Sequence, residues 1–233
     1  DYNTIFMGCS FTFGEGLDDD ETLAFKMNSR KRFKTLNTGV GGYGFLQSKI
    51  KTEKLLNHNV ENIVYFALPL SHSSRDNGFT KQKDKDQKTN LDNYNKKKIN
   101  NYFFKRILDL MYYFTKFNTI KVVKYSKISI NNKIQDKKEI QNKYLNELKK
   151  FKVKLNNQNI NFYIILYDYG NENKIFSEML MRELNSNSDV FYLSEILKIK
   201  SEKNYRKKYT FGLDGHPNAK LNNVLDDFLK GIL

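Results

Sequence analysis

The residues of this chain that could carry out nucleophilic chemistry lie near its two ends. Ser10 follows an apolar run at residues 3–7 and begins a glycine-bounded segment, and Asp214 and His216 lie two positions apart near the carboxyl end. A serine hydroxyl becomes an effective nucleophile when a histidine accepts its proton and a carboxylate holds that histidine in the correct tautomer. Ser10, His216 and Asp214 therefore provide the three side chains of a nucleophilic triad.

Each of these residues also has an ordinary structural interpretation. Ser10 is a residue type that often caps the amino terminus of a helix, and His216 followed by Pro217 is typical of a turn. Cys9 is interpreted as a small buried side chain, with a nucleophilic Cys9–His216 pair as the alternative. The places of these residues in the fold decide between the interpretations.

Apolar runs and amphipathic segments alternate along most of the chain. Continuous apolar runs predict strands that are covered on both faces, and apolar positions at helical spacing predict helices between them. This alternation is typical of a parallel sheet with helices on both faces, so we predict a three-layer α/β/α domain with about five strands. Strands are predicted at 3–7, in 33–44 before its glycine-rich turn, at 62–70, 160–168 and 189–193, and helices at 20–32, 45–57, 173–184 and 221–233.

The candidate residues all lie next to predicted strand or helix ends. Ser10, the glycine-rich segment at 39–44 and residues 69–77 each follow a predicted strand, and residues 213–218 precede the last predicted helix. Ligands of open parallel sheets bind at the carboxyl ends of the strands. The amide of Ser10 and an amide of the glycine-rich segment could donate there to an oxyanion. The predicted topology therefore gathers a serine, a histidine, a carboxylate and amide donors at one edge.

Three of these segments resemble the sequence blocks of the SGNH/GDSL hydrolase family. GCSFTFG at residues 8–14 is similar to the first block, NTGVGG at 37–42 to the second, and DGHPN at 214–218 to the last. The resemblance spans the whole chain apart from an insertion, and it implies the flavodoxin-like fold of that family. It also implies a serine esterase that forms an acyl-enzyme on Ser10, with the amides of Ser10 and Gly42 holding the oxyanion. No metal or organic cofactor is implied.

The chain departs from the family pattern at three points. Cys9 stands where the family usually has an aspartate, and the spacing from Asp214 to His216 is two residues rather than three. The third block of the family, Gly-x-Asn-Asp, has no clear counterpart after the third predicted strand. Its side-chain oxyanion donor is assigned to Ser71, with His72 and then Asn77 as the alternatives.

The resemblance leaves the substrate open. The family-level expectation is an ester of a small molecule or of a carbohydrate, such as an O-acetylated sugar. Two other functions remain possible interpretations: an O-acyltransferase that uses the same triad, and a non-catalytic binding domain that kept the fold.

The composition of the chain limits the kinds of partner and cofactor that we expect it to bind. The net charge is +14, but the positive residues are mostly Lys and accompany abundant Asn and Ile, which indicates compositional bias rather than selection for phosphate binding, so we expect no nucleic-acid partner. One cysteine and three histidines argue against a disulfide framework and a metal site. No apolar run is long enough to cross a membrane. The chain begins at Asp1 rather than Met, so whether another segment precedes it stays an open question. The oligomeric state is not assigned, and of the cellular compartments the cytoplasm is favoured.

The middle of the chain breaks the alternation of strands and helices. We predict one domain over residues 1–233 with a helical insertion at about 73–157. Within the insertion, residues 78–100 are rich in Lys, Asn and Asp and predict a mobile loop, whereas 101–117 and 136–156 predict an aromatic-rich helix and a charged helix. Because the insertion follows the carboxyl end of the third strand, we expect it to border the site and to shape substrate choice.

Overall fold

The fold is built on one parallel sheet. A computed structural model of the protein describes residues 2–29, 33–56, 59–86, 130–184, 189–211 and 215–233. Its five strands lie in the order β2-β1-β3-β4-β5, which confirms the predicted class. In register, Ile5 lies beside Leu36 on one side and Ile63 on the other, Ile63 lies beside Phe162, and Ile164 lies beside Val190. The strands are β1 (Thr4–Met7), β2 (Thr35–Asn37), β3 (Asn62–Ala67), β4 (Asn161–Leu166) and β5 (Val190–Tyr192).

Helices connect the strands, as the alternation in the sequence predicts. The helix predicted at 20–32 is shorter in the structure and follows a 3₁₀ turn at Asp19–Glu21. The helices in the described residues are α1 (Ser10–Phe13), α2 (Leu23–Asn28), α3 (Phe45–Glu53), α4 (Pro69–Asp86), α5 (Ile130–Asn156), α6 (Asn171–Leu184), α7 (Leu193–Ile196), α8 (Glu202–Tyr209) and α9 (Ala219–Lys230).

Helix α4 corrects part of the predicted loop. It begins at Pro69 and continues to Asp86, so residues 78–86 are helical rather than a loop. The sequence pattern failed here because α4 has no apolar stripe: two of its buried positions hold His72 and Asp76. Residues 87–100 and the predicted helix at 101–117 lie outside the described residues.

The sheet is covered by apolar side chains on both faces. Successive strand residues point to opposite faces, so Ile5 and Met7 join one core while Phe6 joins the other. Helices α3, α5 and α6 cover the first face, and α2, α7, α8 and α9 cover the second. The largest fully buried side chains of the first core include Phe45, Tyr65, Tyr144, Leu148, Phe151, Phe162 and Phe176, and Met27 and Tyr205 belong to the second.

The chain divides into two compact units. Residues 1–77 and 137–233 form the first unit, and residues 78–136 form the second. The part of α5 from residue 137 onward belongs to the first unit and supplies core residues such as Leu148 and Phe151. All residues of the candidate site described below belong to the first unit.

Candidate active site

A sharp strand-to-helix turn positions Ser10. Strand β1 ends at Met7, and Gly8 has a φ of 153°, a conformation that side-chain-bearing residues rarely adopt. A Cβ at Gly8 would lie 2.2 Å from the Oγ1 of Thr12, whose hydroxyl donates to the carbonyl of Met7. Only glycine therefore fits the turn, which places Ser10 as the first residue of α1 at the carboxyl end of β1, where it is buried.

A short antiparallel loop before α9 positions His216. Thr210 pairs with Pro217 across this loop, and the amide of Phe211 donates to the carbonyl of His216. Asn218 fixes the base of the loop, because its Oδ1 caps the first amides of α9 while its Nδ2 donates to the carbonyl of Thr210. Asn218 was not predicted as a site residue, although an asparagine directly before an amphipathic helix is a recognisable capping signal.

The structure brings the serine and the histidine into contact. The Nε2 atom of His216 lies 2.9 Å from the Oγ of Ser10, although the two residues are 206 positions apart in the chain. The ring of Phe11 packs against the imidazole with a centroid distance of 5.5 Å. The His216 side chain is 18% exposed. A histidine at this distance can accept the serine proton, and solvent can reach the pair.

The loop after β2 is tied to the serine turn by hydrogen bonds. The Nδ2 of Asn37 donates to the carbonyls of Thr12 and Phe13 in α1. The amide of Val40 donates to the carbonyl of Gly8. These bonds tie the loop that contains the predicted oxyanion residue Gly42 to the turn that carries Ser10. Asn37 is the first residue of the segment that resembles the second block, but the sequence predicted no role for it.

Helix α4 holds the other end of that loop. The Oδ1 of Asp76 accepts the amide of Leu46 at 2.9 Å, and a guanidinium nitrogen of Arg75 donates to the carbonyl of Tyr43 at 3.1 Å. Asp76 approaches so closely that a Cβ on Gly44 would lie 2.2 Å from its Oδ1. Burial raises the pKa of the Asp76 carboxyl to about 7. The glycine-rich loop is therefore anchored on α4 by a buried carboxyl group.

The three residues considered for the third oxyanion donor all lie on α4. Ser71 is exposed in the first turn, and Asn77 is partly buried further along the helix. His72 is fully buried: the amide of Leu68 donates to its Nδ1, and the hydroxyl of Tyr65 lies 2.5 Å from the same atom. Burial lowers the pKa of His72 to about 3, so its imidazole is neutral. His72 is a residue of the protein interior, and Ser71 stays the predicted donor.

Two further predicted residues have different outcomes. Cys9 is fully buried and belongs to the core on the α2 face together with Phe6 and Phe66. This environment agrees with the interpretation of Cys9 as a small buried side chain. Asp214 lies outside the described residues, so its role in orienting His216 stays a prediction.

A carboxylate that sequence reasoning missed lies beside the histidine. The Oε2 of Glu15 is 3.4 Å from the Nε2 of His216, and the Glu15 side chain is 55% exposed. Glu15 lies two residues after the end of the four-residue helix α1, within the segment that resembles the first block. The sequence feature that could have indicated a role for Glu15 is its position between Gly14 and Gly16.

Comparisons with known proteins identify the fold. No protein-family model and no curated protein matches the chain. It is similar to a solved structure from Desulfitobacterium hafniense DCB-2, a protein provisionally assigned as a lipolytic protein of the G-D-S-L family. The match covers 100% of both chains with a TM-score of 0.56 and 9% sequence identity. At this identity, the similarity establishes a shared fold. Among the described residues, no helix is both long and apolar enough to span a membrane.

Proposed function

We propose that this protein is a serine-dependent ester hydrolase that forms an acyl-enzyme on Ser10. The observation that carries the proposal is the 2.9 Å distance between the Oγ of Ser10 and the Nε2 of His216. The similarity to a G-D-S-L lipolytic structure supports a hydrolase-like fold around this pair. A plain helix-capping role for Ser10 leaves the contact with His216 unexplained, and no side-chain cap hydrogen bond forms at the start of α1.

In the proposed mechanism, His216 takes the hydroxyl proton of Ser10 as the serine oxygen attacks the ester carbonyl. Asp214 is the proposed partner of Nδ1, where it would hold the tautomer and stabilise the imidazolium. The oxyanion of the tetrahedral intermediate accepts hydrogen bonds from the amides of Ser10 and Gly42, with Ser71 as the proposed third donor.

The remaining steps pass the proton on from His216 and release the two products. The imidazolium of His216 gives its Nε2 proton to the departing alcohol oxygen as the tetrahedral intermediate collapses to the acyl-enzyme. Water then gives a proton to His216 and attacks the acyl carbon, and the carboxylic acid leaves as the proton returns to Ser10. This chemistry uses side chains and backbone amides alone, and the proposed substrate is a small-molecule or carbohydrate ester.

Covalent labelling tests the proposal directly. A fluorophosphonate probe should label the wild-type protein at Ser10, and the labelled peptide is identified by mass spectrometry. The Ser10→Ala variant should lose both the label and the hydrolysis of p-nitrophenyl acetate, because a triad without its nucleophile loses several orders of magnitude in rate. Cys9→Ala is the matched control and should keep much of both.

Two results would contradict the proposal. Label and activity that persist in Ser10→Ala but vanish in Cys9→Ala would make Cys9 the nucleophile. A folded wild-type protein that accepts no label and hydrolyses no ester would favour the non-catalytic binding domain.

A further inference from the structure

The carboxylate of Glu15 occupies a position that affects the charge of the whole site. It lies 3.4 Å from the Nε2 of His216. It also faces the glycine-rich loop, since a Cβ on Gly41 would lie 3.8 Å from its Oε2. Glu15 therefore lies between the proposed general base and the loop that carries Gly42, where the oxyanion is proposed to form.

The charge of Glu15 is available to a ligand. Within the part of the chain that the structure describes, no lysine or arginine forms an ion pair with this carboxylate, even though the whole chain carries a net charge of +14. A carboxylate without a cationic side chain as partner attracts a positively charged group of a substrate and repels an anionic one by Coulomb interaction.

Two exposed aromatic side chains lie near Glu15, Phe13 two positions away in the chain and Phe211 against the following residue in space. Phe13 is 56% exposed, and Phe211 is 39% exposed. The Phe211 ring lies against the residue after Glu15, because a Cβ on Gly16 would be 3.3 Å from the ring. Aromatic faces next to a carboxylate are the groups that bind alkylammonium ions in proteins.

The mechanism indicates which half of the ester would carry that charge. The Nε2 of His216 donates its proton to the oxygen of the departing alcohol, so this oxygen lies within hydrogen-bond distance of Nε2. Glu15 lies beside the same nitrogen. Groups attached to the alcohol carbon chain are therefore the ones that reach Glu15.

We infer that Glu15 makes this site selective for esters whose alcohol portion carries an ammonium group, and that it disfavours anionic esters. The inference rests on the proposed function, because it assigns the substrate class of the same Ser10–His216 site. In the reaction, the ester is cleaved by water to a carboxylic acid and an amino alcohol, and Glu15 takes no proton.

A matched pair of esters tests the inference. Acetylcholine and 3,3-dimethylbutyl acetate have the same shape and differ by one positive charge. The wild-type protein should show a kcat/KM about tenfold higher for the cationic ester at low salt, and salt should reduce this preference by screening. Glu15→Gln should hydrolyse the two esters equally. The exposed Asp20 gives the control, and Asp20→Asn should keep the preference.

Equal rates in the wild-type protein, or an unchanged preference in Glu15→Gln, would overturn the inference while leaving the esterase proposal standing. Binding provides a test that does not need turnover. Choline and its neutral counterpart 3,3-dimethylbutan-1-ol are titrated into Ser10→Ala and into Ser10→Ala with Glu15→Gln, followed by NMR.

Tighter binding of choline in Ser10→Ala that is lost with Glu15→Gln would support the cation site even if no ester is hydrolysed. In that case the esterase proposal alone would fail. No binding of choline, or binding that ignores Glu15, would overturn the inference itself.

Discussion

The molecule uses histidine in two regions with opposite properties. His216 lies at the sheet edge, partly exposed, with its Nε2 on the hydroxyl of Ser10 and near Glu15. His72 is fully buried, and its Nδ1 accepts from the Leu68 amide and contacts the Tyr65 hydroxyl, which in turn lies 3.0 Å from the hydroxyl of Tyr144. The side chains are identical, but their surroundings differ in access and in the partners of the ring.

The difference shows what a histidine needs in order to act as a base. A buried imidazole is held neutral because desolvation opposes its charged form, and the pKa of His72 is lowered to about 3 for this reason. Such a ring cannot exchange protons with a substrate that it never meets. His216 combines solvent access with a hydroxyl neighbour, and this combination makes it the proposed base.

The largest expected effect comes from the exposed histidine. His216→Ala should reduce the kcat for p-nitrophenyl acetate by about 10⁴-fold, because the serine loses its proton acceptor. The free energy of unfolding, measured by urea titration, should change little, because His216 is a loop residue at the sheet edge. Activity that survives the substitution would remove the contrast between the two histidines.

The second effect concerns pH and the buried carboxyl on the same helix as His72. Burial raises the pKa of Asp76 to about 7, with Glu147 adding to it and the amides of Leu46 and Phe45 opposing it. The folded protein therefore binds a proton that the unfolded chain has released, and the stability contributed by Asp76 is present at low pH and lost as the pH rises toward 7. His72 acts in the opposite sense, since its depressed pKa gives stability that is lost as the pH falls toward 3.

Removing Asp76 as a titrating group should separate these opposing contributions. The free energy of unfolding of Asp76→Asn, minus that of the wild type, should increase by about 3 kcal/mol between pH 4 and 6.5. Urea titrations of both proteins across this range provide the measurement. The hydroxyls of Tyr65 and Tyr144 and the carboxylate of Glu147 also interact with Asp76, and they are unchanged in the variant. A difference that is constant with pH would show that Asp76 does not titrate in this range.

A third experiment makes the buried histidine apolar. His72→Phe should lower the free energy of unfolding by about 2 kcal/mol, because the Tyr65 hydroxyl and the Leu68 amide lose a buried acceptor. Tyr65→Phe combined with His72→Phe should recover little of this loss, since the Tyr65 hydroxyl keeps the Tyr144 hydroxyl as a partner and its removal would take that partner from Tyr144. Esterase activity of the folded variant should remain. If activity disappeared at unchanged stability, His72 would belong to the site after all.

The smallest expected effect tests whether helix α4, which carries His72, also positions the glycine-rich loop of the candidate site. Asp76→Ala should lower kcat about tenfold with little change in KM, because the loop that carries Gly42 loses its anchor at the Leu46 amide. Asp76→Asn keeps an oxygen acceptor for that amide and should restore most of the kcat. Activity of Asp76→Ala equal to that of the wild type would mean that the carboxyl group does not position the loop.

The sheet and the meeting of the two chain ends were predictable from the sequence. Continuous apolar runs that alternate with helices indicate buried parallel strands. The glycine-bounded serine follows one of these strands, and the segment around His216 precedes a helix. The remainder was missed for physical reasons. Helix α4 was missed because it buries His72 and Asp76 rather than an apolar stripe, and α8 packs through Tyr205 and Tyr209 among charged residues. The contact of Glu15 with His216 depends on tertiary approach, which no local pattern encodes.

The separation of Ser10 and His216 by 206 positions has a consequence for the timing of synthesis. Ribosomes make proteins from the amino terminus, so the serine and strand β1 emerge long before the histidine and α9 exist. A nascent chain carries the proposed nucleophile without its proposed base until residue 216 has been added. The proposed hydrolytic activity would therefore begin only after His216 and α9 have been made, and its onset during cell-free translation would report the meeting of these elements with β1.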